Sequence, residues 1–153
     1  SSNNLAVTMT VIRPVISLNA RLTAAAHDFL SRRLRDAGHA DIEPCHGDVF
    51  VVLFAEDALG LTELARRSGR CKSTVSVMVR RLTALGYLEK VTDDKDTRAV
   101  KIRLTEKGRK LKPVFDAISQ TMAETLAEGL TAPQLEALES ILTQCLVNFE
   151  KAG

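Results

Sequence analysis

The 153-residue sequence predicts a mainly α (α+β) chain centred on a winged helix-turn-helix, and three observations carry that reading. In the run Lys72–Gly86, KSTVSVMVRRLTALG, residues Val75, Met78, Val79, Leu82 and Leu85 share one face at helical spacing. Lys72, Ser73, Ser76, Val77, Arg80 and Arg81 fall largely on the other. A short helical stretch, Thr62–Ser68, precedes this run across Gly69, and two strand-like runs follow it around the charged loop DDKDTR. Helix, turn, helix, hairpin is the order of a winged helix-turn-helix, an arrangement suited to reading DNA.

Taken in order, residues 1–10 read as a loose lead-in. Pro14 opens the first long helical pattern, proline being favoured in a first turn. Its apolar stripe (Val15, Ile16, Leu18, Leu22, Ala25, Ala26, Phe29, Leu30, Leu34) runs to about Ala37 and stops at Gly38. The stripe is broader than one neighbour needs, so part of it is expected to face another subunit. A second helix is expected over Pro44–Ala55 with Val49, Phe50, Val52 and Leu53 inward. VFVVLF also has β-propensity, but Pro44 supplies a helix start.

Ala58–Leu61 reads as a short strand that pairs with the later hairpin. Thr62 fits an N-cap, and Glu63 is well placed against the helix dipole. Leu64 and Ala65 should point inward, Gly69 makes the turn, and Gly86 ends the central helix as a left-handed cap residue. Tyr87–Val91 and Ala99–Leu104 form the hairpin, in which Val100, Ile102 and Leu104 alternate with Lys101 and Arg103. Thr105 caps a helix that runs to about Glu128 with a bend near Pro113, and Gly129 breaks it. Thr131 and Gln134 have capping-box spacing ahead of a last helix. That helix carries Leu135, Leu138, Ile141, Leu142, Cys145, Leu146 and Phe149 on one stripe. The expected organisation is one domain over 1–153, with the winged module at 44–104. The helices at 14–37 and 112–151 would form an intertwined dimer frame that buries their apolar faces.

Composition narrows the function. Hydrophobic residues make up 45% of the chain, and no apolar run approaches the roughly 20 residues of a membrane span. Nothing at the N-terminus has a signal peptide's layout, so a soluble cytoplasmic protein is expected. Three widely spaced cysteines (Cys45, Cys71, Cys145) fit reduced thiols better than a disulfide framework. The net charge of +2 hides an asymmetry: residues 61–112 hold 15 Lys/Arg against 6 Asp/Glu, the remainder 6 against 13. Within 64–88 stand Arg66, Arg67, Arg70, Lys72, Arg80 and Arg81 and no acid, the footprint of a phosphate-binding surface. A winged helix that binds only protein has little need of such a field. There is no Gly-rich phosphate loop, nucleophile elbow or paired-carboxylate constellation, so no enzyme and no cofactor is expected. Cys45-His46 would be half of a zinc site, which needs three or four ligands, and local spacing supplies no more, so no metal is expected. His27 reads as an ordinary surface histidine.

The run LTELARRSGRCKSTVSVMVRRLTALGYLEKVTDDKDTRAVKIRLTEKGRKL resembles the MarR family of bacterial winged-helix regulators. The LTELA entry, KSTVS, RLTALGYLEK, the DDKDTR wing and the LTEKG exit fall in register over about 61–111; residues 14–60 and 112–151 match only in helix order and length. The resemblance implies a homodimer that binds double-stranded DNA, with recognition helices in successive major grooves and wings in flanking minor grooves. It also implies repression from pseudo-palindromic operators and release by a small aromatic or lipophilic anion. Ser73, Thr74 and Ser76 offer hydroxyls to base edges or phosphates, Lys72, Arg80 and Arg81 neutralise backbone, and one of the arginines is a candidate for guanine. Val77 stands where the family often has arginine, so an apolar contact, as with a thymine methyl, would replace a hydrogen bond.

In the wing, Asp96 and Arg98 match the family's Asp-x-Arg pair, whose arginine enters the minor groove; Lys95 is a second candidate, and Thr97 holds an often basic position. Cys71 occupies the cap position of the recognition helix between Arg70 and Lys72, where a helix N-terminus and cations lower a thiol's pKa. It is the redox candidate. The peroxide-sensing branch of the family uses an early cysteine near tyrosines, which this chain lacks. Zinc-responsive relatives use histidines from the helix after the wing, and residues 105–129 contain none.

Overall fold

The computed structural model describes residues 2–92, 95, 96 and 98–153, with residues 2–13 described by their backbone alone. The chain divides into two compact units, Ser1–Ile118 and Ser119–Gly153. Among the described residues no helix is long and apolar enough to cross a membrane.

The first unit opens with α1, Ser2–Asp36, which contains Pro14 rather than starting there. The expected lead-in is therefore helical. A proline forfeits one backbone bond, and the helix runs through it. It stops where Gly38 turns to φ +87° and His39 N–H reaches back to the Leu34 carbonyl at 2.8 Å. Leu34 is buried, whereas Val15, Ile16, Leu18 and Leu22 are exposed in the single chain.

Pro44–His46 winds as a 3-10 turn and leads into α2, Gly47–Ala55. VFVVLF is thus helical, with Val49, Phe50 and Leu53 buried and Val52 half-buried. The His46 ring, only 2% exposed, accepts the Glu43 N–H at Nδ1 (3.1 Å). Burial holds its imidazole below the ordinary histidine pKa.

Helix α3, Leu61–Ser68, is capped by Gly60 and not by Thr62. Gly60 is extended and its carbonyl already accepts the Leu64 N–H (2.9 Å), so the cap stands two residues earlier and Thr62 lies inside the first turn. Gly69, at φ +67°, reverses the chain into α4, Lys72–Ala84, whose Val75, Met78, Val79 and Leu82 are buried. Gly86, at φ +83°, sends it into the hairpin of β1, Leu88–Thr92, and β2, Val100–Leu104. The strands pair antiparallel from Leu88↔Leu104 to Thr92↔Val100, and Leu59 adds a bridge to Ile102. Ile102 and Leu104 face the core as the alternation predicts; Val100, at the loop end of the hairpin, is exposed.

The single bent helix expected after Thr105 is two helices, α5 (Glu106–Arg109) and α6 (Lys112–Ala127). Pro113 cannot donate to the Arg109 carbonyl, so the first helix ends and the second starts with proline in its first turn. Thr105 caps α5 by accepting the Gly108 N–H at 3.1 Å. The second unit carries the rest of α6 and α7, Ala132–Ala152. Gly129 separates them at φ +77°, and Thr131 and Gln134 form the reciprocal capping box. Ile141, Leu146 and Phe149 lie more than half exposed along α7.

One close approach fixes the root of the hairpin. Gly108 is buried, and a Cβ there would stand 2.2 Å from the Tyr87 carbonyl oxygen. Gly108→Ala should therefore destabilise the chain by roughly 1–3 kcal/mol, read as a lowered denaturant midpoint at unchanged slope.

Candidate nucleic-acid interface

The inner face of α4 is held by the core, so its outer residues are presented by default. Lys72, Ser73, Val77, Arg80 and Arg81 are exposed, Val77 at 61%, while Thr74 and Ser76 are half-buried along the helix flank. Lys72, Arg80 and Arg81 enter no ion pair with a described residue.

The rest of the acid-free block behaves otherwise. Arg66 and Arg67 both bond Glu63 (2.6 and 2.8 Å), and Arg67 also bonds Glu56. Arg70 pairs with Asp48 at 2.7 Å. The two guanidinium groups beside Glu63 pull its carboxyl down to about 2. Three of the six cations are thus matched by Asp48, Glu56 and Glu63, all N-terminal to the window, so among the described residues the block's positive charge without an ion pair lies on α4 itself. The i, i+3 and i, i+4 spacing of Glu63 to Arg66 and Arg67 was a readable signal; the Asp48–Arg70 pair, 22 residues apart, had none.

Cys71 is the N-cap residue of α4, with extended backbone and an exposed side chain. Its sulfur lies 3.3 Å from Ser73 Oγ and 2.9 Å from Thr74 Oγ1. Those two hydroxyls, Ser73 first and then Thr74, lower the thiol to about 7 from its ordinary 9.0. The expected depression is present, but its leading cause is local hydroxyl donors and not the flanking Arg70 and Lys72.

In the wing, Lys95, Asp96 and Arg98 are exposed, and Asp96 Oδ1 accepts the backbone N–H of Arg98 at 3.0 Å. The carboxylate therefore shapes the turn that carries the arginine. Thr97, with Asp93 and Asp94 of the same loop, lies outside the described residues. Behind α4, Leu61, Ser76, Val79, Lys90, Val100 and Ile102 line a cavity of about 250 Å³ between α4 and the hairpin.

The Cys45-His46 pair gains a neighbour in Glu43, whose ligand atoms and theirs lie within 4.8 Å of one another. The three already have structural partners: His46 Nδ1 takes the Glu43 N–H, and burial with the Glu43 charge pushes the Cys45 thiol up, away from the thiolate a metal prefers.

Known proteins share this fold. A profile of the IclR helix-turn-helix domain matches residues 53–92. The HTH-type transcriptional regulator TtmR of Methylorubrum extorquens is 30% identical over 119 residues, covering 78% of this chain and 58% of the relative, so the chain spans little more than half of that protein's length. The structure of MepR from S. aureus in complex with DNA superposes at TM-score 0.76 with 27% identity, over 86% of this chain and 96% of that one. A cysteine-to-serine mutant of MarR from E. coli, in complex with operator DNA, superposes at 0.76 with 22% identity, over 88% and 95%. The chain has the MarR-family winged-helix fold. Its relatives are transcriptional regulators and not enzymes. In this fold α4 is the second helix of the helix-turn-helix pair α3–α4, and the β1–β2 hairpin is the wing.

The Cys71 geometry carries a direct consequence. Alkylation of Cys71 should rise to half its limiting rate near pH 7. Thr74→Val and Ser73→Ala should each move that midpoint upward toward the ordinary thiol value, checked by the pH dependence of iodoacetamide labelling.

Proposed function

We propose that the chain is a sequence-specific, DNA-binding transcriptional regulator that acts as a homodimer, represses from a pseudo-palindromic operator, and works in the cytoplasm. The observation that carries this reading is α4: one face buried, the other offering the unpaired Lys72, Arg80 and Arg81 with Ser73 and Val77, near a wing that exposes Arg98. A helix that is cationic and hydroxyl-rich on its free face suits the major groove, where phosphates position and base edges specify. MepR and MarR, which share the fold, are seen with DNA. The unburied apolar stripes of α1 and α7 support dimerisation through 14–37 and 112–151, because large exposed apolar surfaces mark interfaces. A two-fold dimer would set its recognition helices one DNA turn apart, roughly 34 Å.

Release by a small organic anion is supported by the cavity behind α4. Its apolar walls, the Ser76 hydroxyl and the Lys90 ammonium suit an aromatic carboxylate, and an occupant would bear on both α4 and the wing. If the cavity is the effector site, Lys90→Met should remove the response to benzoate-type carboxylates and leave ligand-free DNA binding intact. A retained response would place the effector elsewhere. Thiol oxidation is the second reading, favoured by the exposed Cys71 with its thiol held at about 7. It expects peroxide to release the wild type from DNA and to spare Cys71→Ser.

The reading is tested with duplexes selected by the protein from a random library. Arg98→Ala removes one charge-assisted contact from each protomer and should weaken binding by about tenfold per contact, roughly 100-fold for the dimer. Dimerisation and Tm should stay unchanged, since Arg98 is exposed. Normal binding by Arg98→Ala would remove the wing from the interface.

A further inference from the structure

Asp57, in the link between α2 and α3, lies outside the recognition surface, yet its carboxylate gathers three elements. Its Oδ1 accepts the N–H of Ala58 at 3.1 Å and the N–H of Leu104 at 2.9 Å. Its Oδ2 lies 3.3 Å from Arg109 Nη1, and the same nitrogen donates to the Leu104 carbonyl at 3.0 Å. Leu104 is the last residue of β2 and pairs with Leu88, so the carboxylate and the guanidinium grip the wing at its root. Two residues after Asp57, Leu59 exchanges two backbone hydrogen bonds with Ile102, at 3.0 and 2.8 Å.

Between these two attachments stands Ala58 at φ +66°, the one non-glycine residue with positive φ among those described. A left-handed alanine persists only where its surroundings over-determine it. Here Asp57 holds one side of the turn and the Leu59 bridge the other. The side chains of Asp57 and Arg109 are 39% and 54% exposed, so the ion pair is screened by solvent and the bond from the Leu104 N–H carries most of the grip on the wing, while the Ala58 N–H steadies the carboxylate within its own link.

We infer that Asp57 is the positioning residue of the wing: its carboxylate fixes the angle at which the hairpin leaves the module and hence where Arg98 meets DNA. This rests on the DNA-binding reading above. Through Arg109 the same contact ties the wing to α5, which leads directly into α6, so a shift of α5 reaches the hairpin without passing through α4.

The test combines two measurements on the full chain with Asp57→Ala, Asp57→Asn and Arg98→Ala. In the first, free protein is followed by amide hydrogen exchange. Asp57→Ala should speed exchange at Leu104 and Ile102 by roughly tenfold and leave Val79 and Leu82 of α4 unchanged. Asp57→Asn, which keeps an acceptor oxygen, should fall between. In the second, affinity for a selected duplex is measured in a double-mutant cycle. Asp57→Ala should lose about fivefold or more, and adding Arg98→Ala should cost little further, because a misplaced wing has already lost that contact. Unaltered exchange at Leu104, or exchange rising equally in α4, would overturn the inference, as would additive affinity losses. A wild type that selects no duplex would sink the DNA-binding reading, and the exchange measurement alone would still decide whether Asp57 holds the wing.

Discussion

The winged module depends on docking one helix by one face. Val75, Met78, Val79 and Leu82 bring the inner side of α4 into the core formed with Val49, Phe50 and Leu53 of α2, Leu64 and Ala65 of α3, and Leu88, Ile102 and Leu104 of the hairpin. Full burial of an aliphatic side chain is worth roughly 1.5–3 kcal/mol, so four such residues contribute an amount comparable with the net stability of a domain. That burial fixes the rotation of α4 about its axis. Lys72, Ser73, Val77, Arg80 and Arg81 then project outward without needing packing of their own.

The hairpin is set against that helix by a second group of contacts around Tyr87. Its ring meets Phe50 edge-on at 5.9 Å, its hydroxyl donates to Asp41, and its carbonyl accepts the Thr105 N–H while pressing on Gly108. Lys107 lies 4.3 Å over the ring and donates to the Leu85 carbonyl at 2.7 Å. Burial first, and then Asp41, push the phenol up to about 12, so it remains a donor across the physiological range. Tyr87 fixes the entry to β1, Asp57 fixes the exit from β2, and the wing is held from both ends.

Much of this was legible in the sequence because it follows local periodicity. The division of α4 into two faces, the glycine turns at 69 and 86, the Thr105 cap and the Thr131–Gln134 capping box all depend on spacings of a few residues. What was missed depends on distance along the chain or on competition. The acids that match Arg67 and Arg70 include Glu56 and Asp48, 11 and 22 residues away, and the Asp57–Leu104 bond spans 47. Pro14 and Pro113 mark two outcomes for a local breaker: α1 runs through the first, while the second splits the helix expected to bend. Cys71 was legible as a perturbed thiol, but the hydroxyls that perturb it sit two and three residues on and act only once the helix has formed.

The central claim is that the free face of α4 and the wing meet the phosphate-lined grooves of DNA. Its most direct measurement is the salt dependence of affinity for a duplex selected by the protein itself. A dimer that neutralises many phosphates should lose roughly 10³-fold or more between 50 and 200 mM salt, as condensed counterions are released on binding. An affinity that stays flat across that range would contradict the account and point to a partner other than nucleic acid.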